Sequence, residues 1–252
     1  MSADEVLVQG LRIETLELAG DTERRPLVLL HEGLGSVGLW RGFPQRLAEA
    51  TGRRVIAFSR FGHGRSDRPS RPRTPSFFHE EAQEVLPELL GAVGAARPIL
   101  VGHSDGASIA LIHAASHAVE GLVLLAPHIF VEEVTVERIR ETREAFTADG
   151  LRDRLARHHD DPDAAFWGWC GVWLDPAFLA WSLEPEAARV TAPTLLIQGA
   201  DDPYGTLEQI DRIQARASGG VERLVVPGGH SPHLEQPEPV LATITRFVAA
   251  LD

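Results

Sequence analysis

No lysine occurs in these 252 residues; all 24 basic side chains are arginine. That excludes a lysine Schiff base and a phosphate-loop lysine. A single cysteine, Cys170, leaves no partner for a disulfide or a thiolate metal cluster, so it reads as a small buried apolar residue. No apolar run reaches the roughly 18 residues that a membrane helix needs. The start, Met1-Ser2-Ala3-Asp4-Glu5, is acidic and has no basic stretch leading into an apolar one. This argues against a signal peptide and for the cytoplasm. Cationic charge is short overall: the net charge is −12, which makes nucleic acid a poor partner. Neither H-E-x-x-H nor a Cys/His ligand spacing is present, so no metal and no cofactor is expected.

What the chain does have is alternation. An opening hairpin, Val6–Val8 and Ile13–Leu18 split by Gln9-Gly10, leads into short apolar strands separated by helical stretches. Strands are expected at Leu27–Leu30, Val55–Ser59, Pro98–Val101, Leu122–Ala126, Thr194–Gln198 and Leu224–Val226. Helices are expected at Leu39–Ala50, Phe77–Val93, Ala107–Ala115, Leu207–Ala217 and Val240–Leu251. This is an α/β pattern: a mostly parallel twisted sheet with helices on both faces. The interval 129–189 breaks it, with helical stretches at Thr135–Asp149 and Leu151–His159 and no convincing strand. It holds four of the five tryptophans. We therefore divide the chain into a core formed by 1–128 and 190–252 and a helical lid at 129–189. His128, Trp167 and Trp173 are the expected substrate-binding residues, because pockets are mostly apolar with a few placed polar groups.

One motif carries chemistry. Gly102-His103-Ser104-Asp105-Gly106 stands between an apolar strand and a helix. Its three fixed letters occur by chance in about one chain of this size in ten, so the context decides. A serine on a tight strand-to-helix turn is pushed toward substrate. Its glycine neighbours relieve crowding and backbone angles that a Cβ would forbid. The helix start offers free N–H groups and a partial positive charge to a developing oxyanion. A nucleophilic serine also needs a base and an acid, later in the chain in the order acid, histidine. Gly199-Ala200-Asp201-Asp202-Pro203 places carboxylates beyond one strand. Pro227-Gly228-Gly229-His230 places a histidine beyond the last. All lie at carboxyl ends of strands, where open α/β sheets put their sites.

With these residues in place, the chain resembles the α/β-hydrolase superfamily over nearly its whole length. His31-Glu32-Gly33-Leu34-Gly35 is similar to the family's oxyanion loop, and Ser59 to Asp67 to its second glycine-rich loop. Gly199 to Asp202 is similar to its acid loop, and Gly229-His230 with Glu235 and Pro237 to its histidine loop. The resemblance implies Ser104 as nucleophile, His230 as base and Asp202, rather than Asp201, as acid. It implies backbone donors at Gly33 and Asp105. There is one departure: the family usually has glycine where this chain has Glu32. A carboxylate there opposes an oxyanion, so Glu32 is expected to point away and organise the loop.

The remaining histidines read as support. His103 packs beneath the turn, His31 and His63 act as hydrogen-bonding struts, and His233 lies near the base. The expected activity is hydrolysis of a small-molecule carboxylic ester through an acyl-enzyme. Carbon–carbon bond, lactone or thioester cleavage by the same triad is the alternative, as is a hydrolase-fold ligand receptor with little turnover. The expected partner is a small-molecule substrate, with no nucleic acid and no membrane; a homodimer is open.

Overall fold

Leu27–Leu30 is apolar at every position, and a strand tolerates that only when both of its faces are covered. The computed structural model describes residues 4–69 and 71–252, so Met1–Ala3 of the acidic start lie outside the described residues. It shows how the covering is done. Eight strands form one sheet: β1 Asp4–Val8, β2 Leu11–Leu18, β3 Leu27–Leu30, β4 Val55–Phe58, β5 Ile99–His103, β6 Gly121–Leu125, β7 Thr194–Gly199 and β8 Val221–Val226. Their order is β1-β2-β4-β3-β5-β6-β7-β8. Only β2 runs against the others.

Successive strand residues point to opposite faces. Val28, Leu30, Leu100 and Leu124 join the apolar cluster on one side. Leu27, Leu29, Val101 and Val123 join the cluster on the other. Helices α1 (Phe43–Thr51) and α10 (Pro237–Ala249) supply Phe43, Leu47, Val240, Ile244 and Phe247 to the second cluster. The first is covered by α2 (Phe77–Glu80), α3 (Leu86–Ala92), α4 (Asp105–Ala114) and α9 (Glu208–Arg216). The α/β architecture expected from the alternation is therefore present.

Three local expectations change. The stretch Leu39–Ala50 is not one helix: a 3₁₀ turn at Val37–Trp40 ends at Arg41 (φ 53°), and α1 starts afresh at Phe43 with Pro44 in its first turn. Leu151–His159 is helical only over Leu151–Leu155, here α6. Phe77–Val93 is nearly continuous, but its middle, Glu81–Val85, is wound as a π-helix. The Leu86 N–H reaches back to the Glu81 carbonyl. The next residue, Pro87, has no N–H to give, and a wider turn relieves the clash of its ring with the preceding carbonyl. The opening hairpin turns at Gln9 and Gly10, both with positive φ, as a two-residue turn matching the strand twist requires.

Between β6 and β7 the described chain is helical: α5 Glu133–Ala148, α6, α7 Pro162–Trp173 and α8 Glu184–Ala187, with a short 3₁₀ turn at Pro176–Phe178. Its only sheet-like contact among the described residues is a single bridge between Phe130 and Ser182. Phe146 stacks on Phe166 with centroids 3.8 Å apart, tying α5 to α7. Cys170 is buried in α7, and burial pushes its thiol up to about 11. No helix among the described residues is long and apolar enough to cross a membrane.

The turn from β5 into α4 is held by close packing. A Cβ on Gly106 would sit 2.1 Å from the Leu30 carbonyl oxygen, and one on Gly102 would sit 2.5 Å from the Ala107 Cα. Neither glycine has a positive φ; the strained residue is Ser104 itself, at φ 52°. Crowding alone, and not backbone angle, accounts for these two glycines. Gly106→Ala is expected to cost about 1–3 kcal/mol by overpacking against backbone. A urea unfolding midpoint equal to that of the parent protein would contradict this packing account.

Candidate active site

Ser104 leaves β5 in a conformation that few non-glycine residues adopt, and its N–H is fixed by the Leu125 carbonyl of the neighbouring strand at 2.9 Å. The strain lifts its hydroxyl off the end of the sheet. His230 follows β8, and its Nε2 lies 2.9 Å from Ser104 Oγ. Its Nδ1 lies 2.9 and 2.7 Å from the two oxygens of Asp202, which follows β7. Asp202 also accepts from Gln198 Nε2 at 2.8 Å and from the Tyr204 N–H at 2.8 Å. Burial works to raise the Asp202 pKa, but the donors from His230 and Tyr204 outweigh it and hold the carboxyl below its usual range. Asp201 is exposed. Of the two neighbouring carboxylates, only Asp202 meets the imidazole.

The loop after β3 faces this line of side chains. Three successive carbonyls of that loop are bonded to imidazoles. His31 Nε2 accepts the Arg60 N–H at 3.0 Å, so its Nδ1–H donates to the Glu32 carbonyl at 2.7 Å. His63 Nδ1 accepts from Arg73 at 3.2 Å, and its Nε2–H donates to the Gly33 carbonyl at 2.9 Å. His159 accepts the Gly64 N–H at 2.9 Å and donates to the Leu34 carbonyl at 3.0 Å. Burial first, and nearby cationic groups second, lower the pKa of His31 and His63, which favours these neutral tautomers. Arg60 Nη2 adds a second bond to the Glu32 carbonyl at 2.8 Å. A planar peptide puts its N–H opposite its C=O. Fixing the Glu32 carbonyl therefore fixes the direction of the Gly33 N–H. Among the described residues, neither the Gly33 N–H nor the Asp105 N–H has an acceptor within the chain.

Glu32 turns toward the histidine beneath the serine. Its Oε2 lies 3.4 Å from His103 Nδ1, and His103 Nε2 lies 2.7 Å from the His230 carbonyl. Burial opposes charge on both partners. Their mutual attraction wins, holding the Glu32 carboxyl well below its usual range and raising His103. His233 packs on the same ring, with centroids 4.9 Å apart.

A cavity of about 140 Å³ opens beside Ser104, lined by Glu32, Gly33, Leu34, Asp105, His128, Thr135, Ile139, Trp169, Trp173, Tyr204 and His230. His128 and Trp173 are thus where the sequence placed them, but Trp167 is not. It is 45 % exposed on the outside of α7, whereas Trp173 is 1 % exposed. The ring of α7 that lines the cavity beside Trp173 is Trp169, whose indole covers Gly33: a Cβ there would meet its Nε1 at 2.2 Å. The spacing from 169 to 173 is one helical turn, which puts both rings on one face. Trp167, two residues before 169, falls on the opposite face. That period was the available signal. Tyr204 and His159 carried no comparable mark in the sequence.

The sequence profile of the alpha/beta hydrolase family matches residues 27–243. Among curated proteins, the chain is 25% identical over 197 residues to the serine hydrolase BPHL of Homo sapiens, covering 71% of this chain and 64% of that protein. It is 32% identical over 108 residues to the sn-1-specific diacylglycerol lipase ABHD11 of Danio rerio, covering 42% and 32%. These matches span less than two thirds of the relatives' own lengths. Among solved structures, an esterase from Exiguobacterium antarcticum has a TM-score of 0.78 at 19% identity, covering 98% of this chain and 100% of that one. An enol-lactonase from Burkholderia xenovorans LB400 has a TM-score of 0.77 at 22% identity, with coverage of 98% and 100%. At these identities the likeness is one of fold.

His128 gives a test of the site's electrostatics. Burial first, and His230 second, lower its pKa to about 3. An unfolded histidine titrates near about 6.5, so between these values the unfolded chain binds the extra proton and folded stability falls as pH falls. His128→Met is expected to remove up to about 1.4 kcal/mol of that loss per pH unit below about 6.5. Denaturant titrations at several pH values read this directly; an unchanged slope would show that His128 is not held neutral.

Proposed function

Since the chain belongs to the alpha/beta hydrolase family, we propose that it is a serine hydrolase cleaving a small-molecule carboxylic ester through an acyl-enzyme. The observation that carries this reading is the unbroken line from Ser104 Oγ to His230 and on to Asp202, with bond lengths of 2.7 to 2.9 Å. In the proposed reaction His230 takes the Ser104 proton as Oγ attacks the ester carbonyl. Asp202 holds the Nδ1–H tautomer and stabilises the imidazolium. The oxyanion is received by the N–H groups of Gly33 and Asp105. Each such donor is worth about 3–4 kcal/mol of barrier when it is aimed beforehand. His230 then returns the proton to the leaving alcohol, and water releases the acyl group by the reverse sequence.

In this reading Glu32 does not spoil the hole, because its charge is directed at His103. The helices between β6 and β7 act as a lid, with Trp169 and Trp173 closing the apolar side of the cavity. A lactone is an internal ester and would pass through the same steps. Ser104→Ala is expected to lower kcat on short p-nitrophenyl esters by a factor on the order of 10⁴ or more, with the unfolding midpoint kept. Turnover close to that of the parent protein in this variant would end the proposal.

A further inference from the structure

Between α6 and α7 the chain turns one side chain inward. His158 and Asp160 are exposed, while His159 between them is 4 % exposed. Burying an imidazole is costly unless its nitrogens are hydrogen-bonded, and both of these are. Nδ1 accepts the Gly64 N–H at 2.9 Å, which leaves the proton on Nε2, and Nε2–H donates to the Leu34 carbonyl at 3.0 Å. Burial lowers the pKa of the ring and so favours this neutral form. One side chain from outside the sheet thus holds both glycine-rich loops at once. Its neighbours strengthen the joint. The Asp160 N–H donates to the Gly64 carbonyl at 2.9 Å. Asp161 pairs with Arg68 and accepts the Ala164 N–H at 2.9 Å, which caps α7, the helix that carries Trp169 and Trp173.

The Leu34 carbonyl stands two peptide planes from the proposed oxyanion donor. Holding it sets the plane of the peptide joining Leu34 to Gly35, and with it the direction of the Gly35 N–H. That N–H donates to the Glu32 carbonyl at 3.0 Å. The Glu32 carbonyl in turn belongs to the peptide whose N–H is that of Gly33. With glycine at 33 and 35 the turn has wide backbone freedom, which its bonds must remove. His31 and Arg60 bond the Glu32 carbonyl directly; His159 holds the far side of the turn. We propose that His159 is a positioning residue for the oxyanion hole, supplied by the helical segment between β6 and β7 and not by the sheet. The hole is aimed only while residues 159–161 sit on the two glycine-rich loops. Seating of the lid and readiness of the hole are then one event: the seating that lays Trp169 over Gly33 also fixes the turn that presents the Gly33 N–H.

This inference rests on the serine hydrolase reading, with Gly33 as a donor, and is tested apart from it. Two substitutions each keep one of the two bonds. In His159→Gln the amide N–H stands in for Nε2–H at Leu34. In His159→Asn the shorter side chain offers its amide oxygen to the Gly64 N–H and does not reach Leu34. On p-nitrophenyl acetate, His159→Asn is expected to lower kcat and kcat/KM together by at least about tenfold, part of the roughly 10²–10³ that one oxyanion donor supplies, with KM within about twofold of the parent. His159→Gln is expected to keep kcat within about threefold. A histidine that only stabilises the fold would leave the kcat of the folded protein alone in both variants. Parent-like kcat in His159→Asn, equal losses in the two variants, or a loss carried by KM alone would overturn the inference. A second reading needs no variant to fold. In the parent protein the amide protons of Gly35, Gly64 and Asp160 should exchange with deuterium as one unit, with protection within about threefold of one another. Protection of Gly35 at least about tenfold above that of Gly64 would show a turn held without His159, and would also overturn it. Ser104→Ala separates the two ideas: silence there beside parent-like kcat in His159→Asn removes only the role of His159, and surviving turnover removes the hydrolase reading itself.

Discussion

The constraint on which the candidate site depends is the approach of α4 to the end of β3. With no side chain on Gly106, the first turn of α4 lies directly against the carbonyls of Leu30 and His31. That contact brings together the loop that carries Gly33 and the turn that carries Ser104, 71 residues later, and Asp105. Parallel pairing of β3 with β5 sets their level, from Leu27 opposite Ile99 to Leu30 opposite Gly102. Everything else at the site is arranged around this joint. β7 and β8, further along the same sheet, deliver Asp202 and His230 at the same edge.

The second layer of the design is electrostatic. The proposed reaction requires an anion to be stabilised in a protein of net charge −12, next to two carboxylates. The carboxylates are managed separately. Glu32 is tied to His103 under the serine, and Asp105 is shared between Trp173 and the field of Arg60 and Arg73. The positive end of α4 and the fixed peptide dipoles of the β3 loop face the cavity. Three neutral imidazoles hold those dipoles; their neutrality follows from burial, reinforced by arginines at His31 and His63. A loop of this kind is rigid because each carbonyl has its own donor, and a preorganised donor pays no reorganisation at the moment of reaction.

Much of this was legible in the chain. Every expected core strand is present, because mostly apolar runs of three to five residues between glycine-rich loops have few other uses in an α/β protein. The order of Ser104, Asp202 and His230 at strand ends placed them within one hydrogen-bonded line. Glu32, the one letter that departed from the family pattern, turned out to be paired with another letter of the serine motif, His103. What could not be read was pairing across long separations. His159 holds a carbonyl 125 residues away, and nothing in its neighbours His158 and Asp160 marks it for that. Helical phase, and not tryptophan content, decides which rings of α7 face the cavity: Trp169 and Trp173 do and Trp167 does not. The break at Arg41–Gly42 and the π turn before Pro87 show the same limit: helix existence is a matter of pattern, while helix continuity depends on single backbone groups.

The central claim is that Ser104 is the group that becomes covalently modified. Reaction of the folded protein with a fluorophosphonate, followed by peptide mass analysis and residual esterase assay, tests it most directly. The account predicts one adduct per chain, on Ser104, with esterase activity lost in proportion to labelling. A fully labelled protein that still turns over ester, or an adduct on a residue other than Ser104, would contradict it.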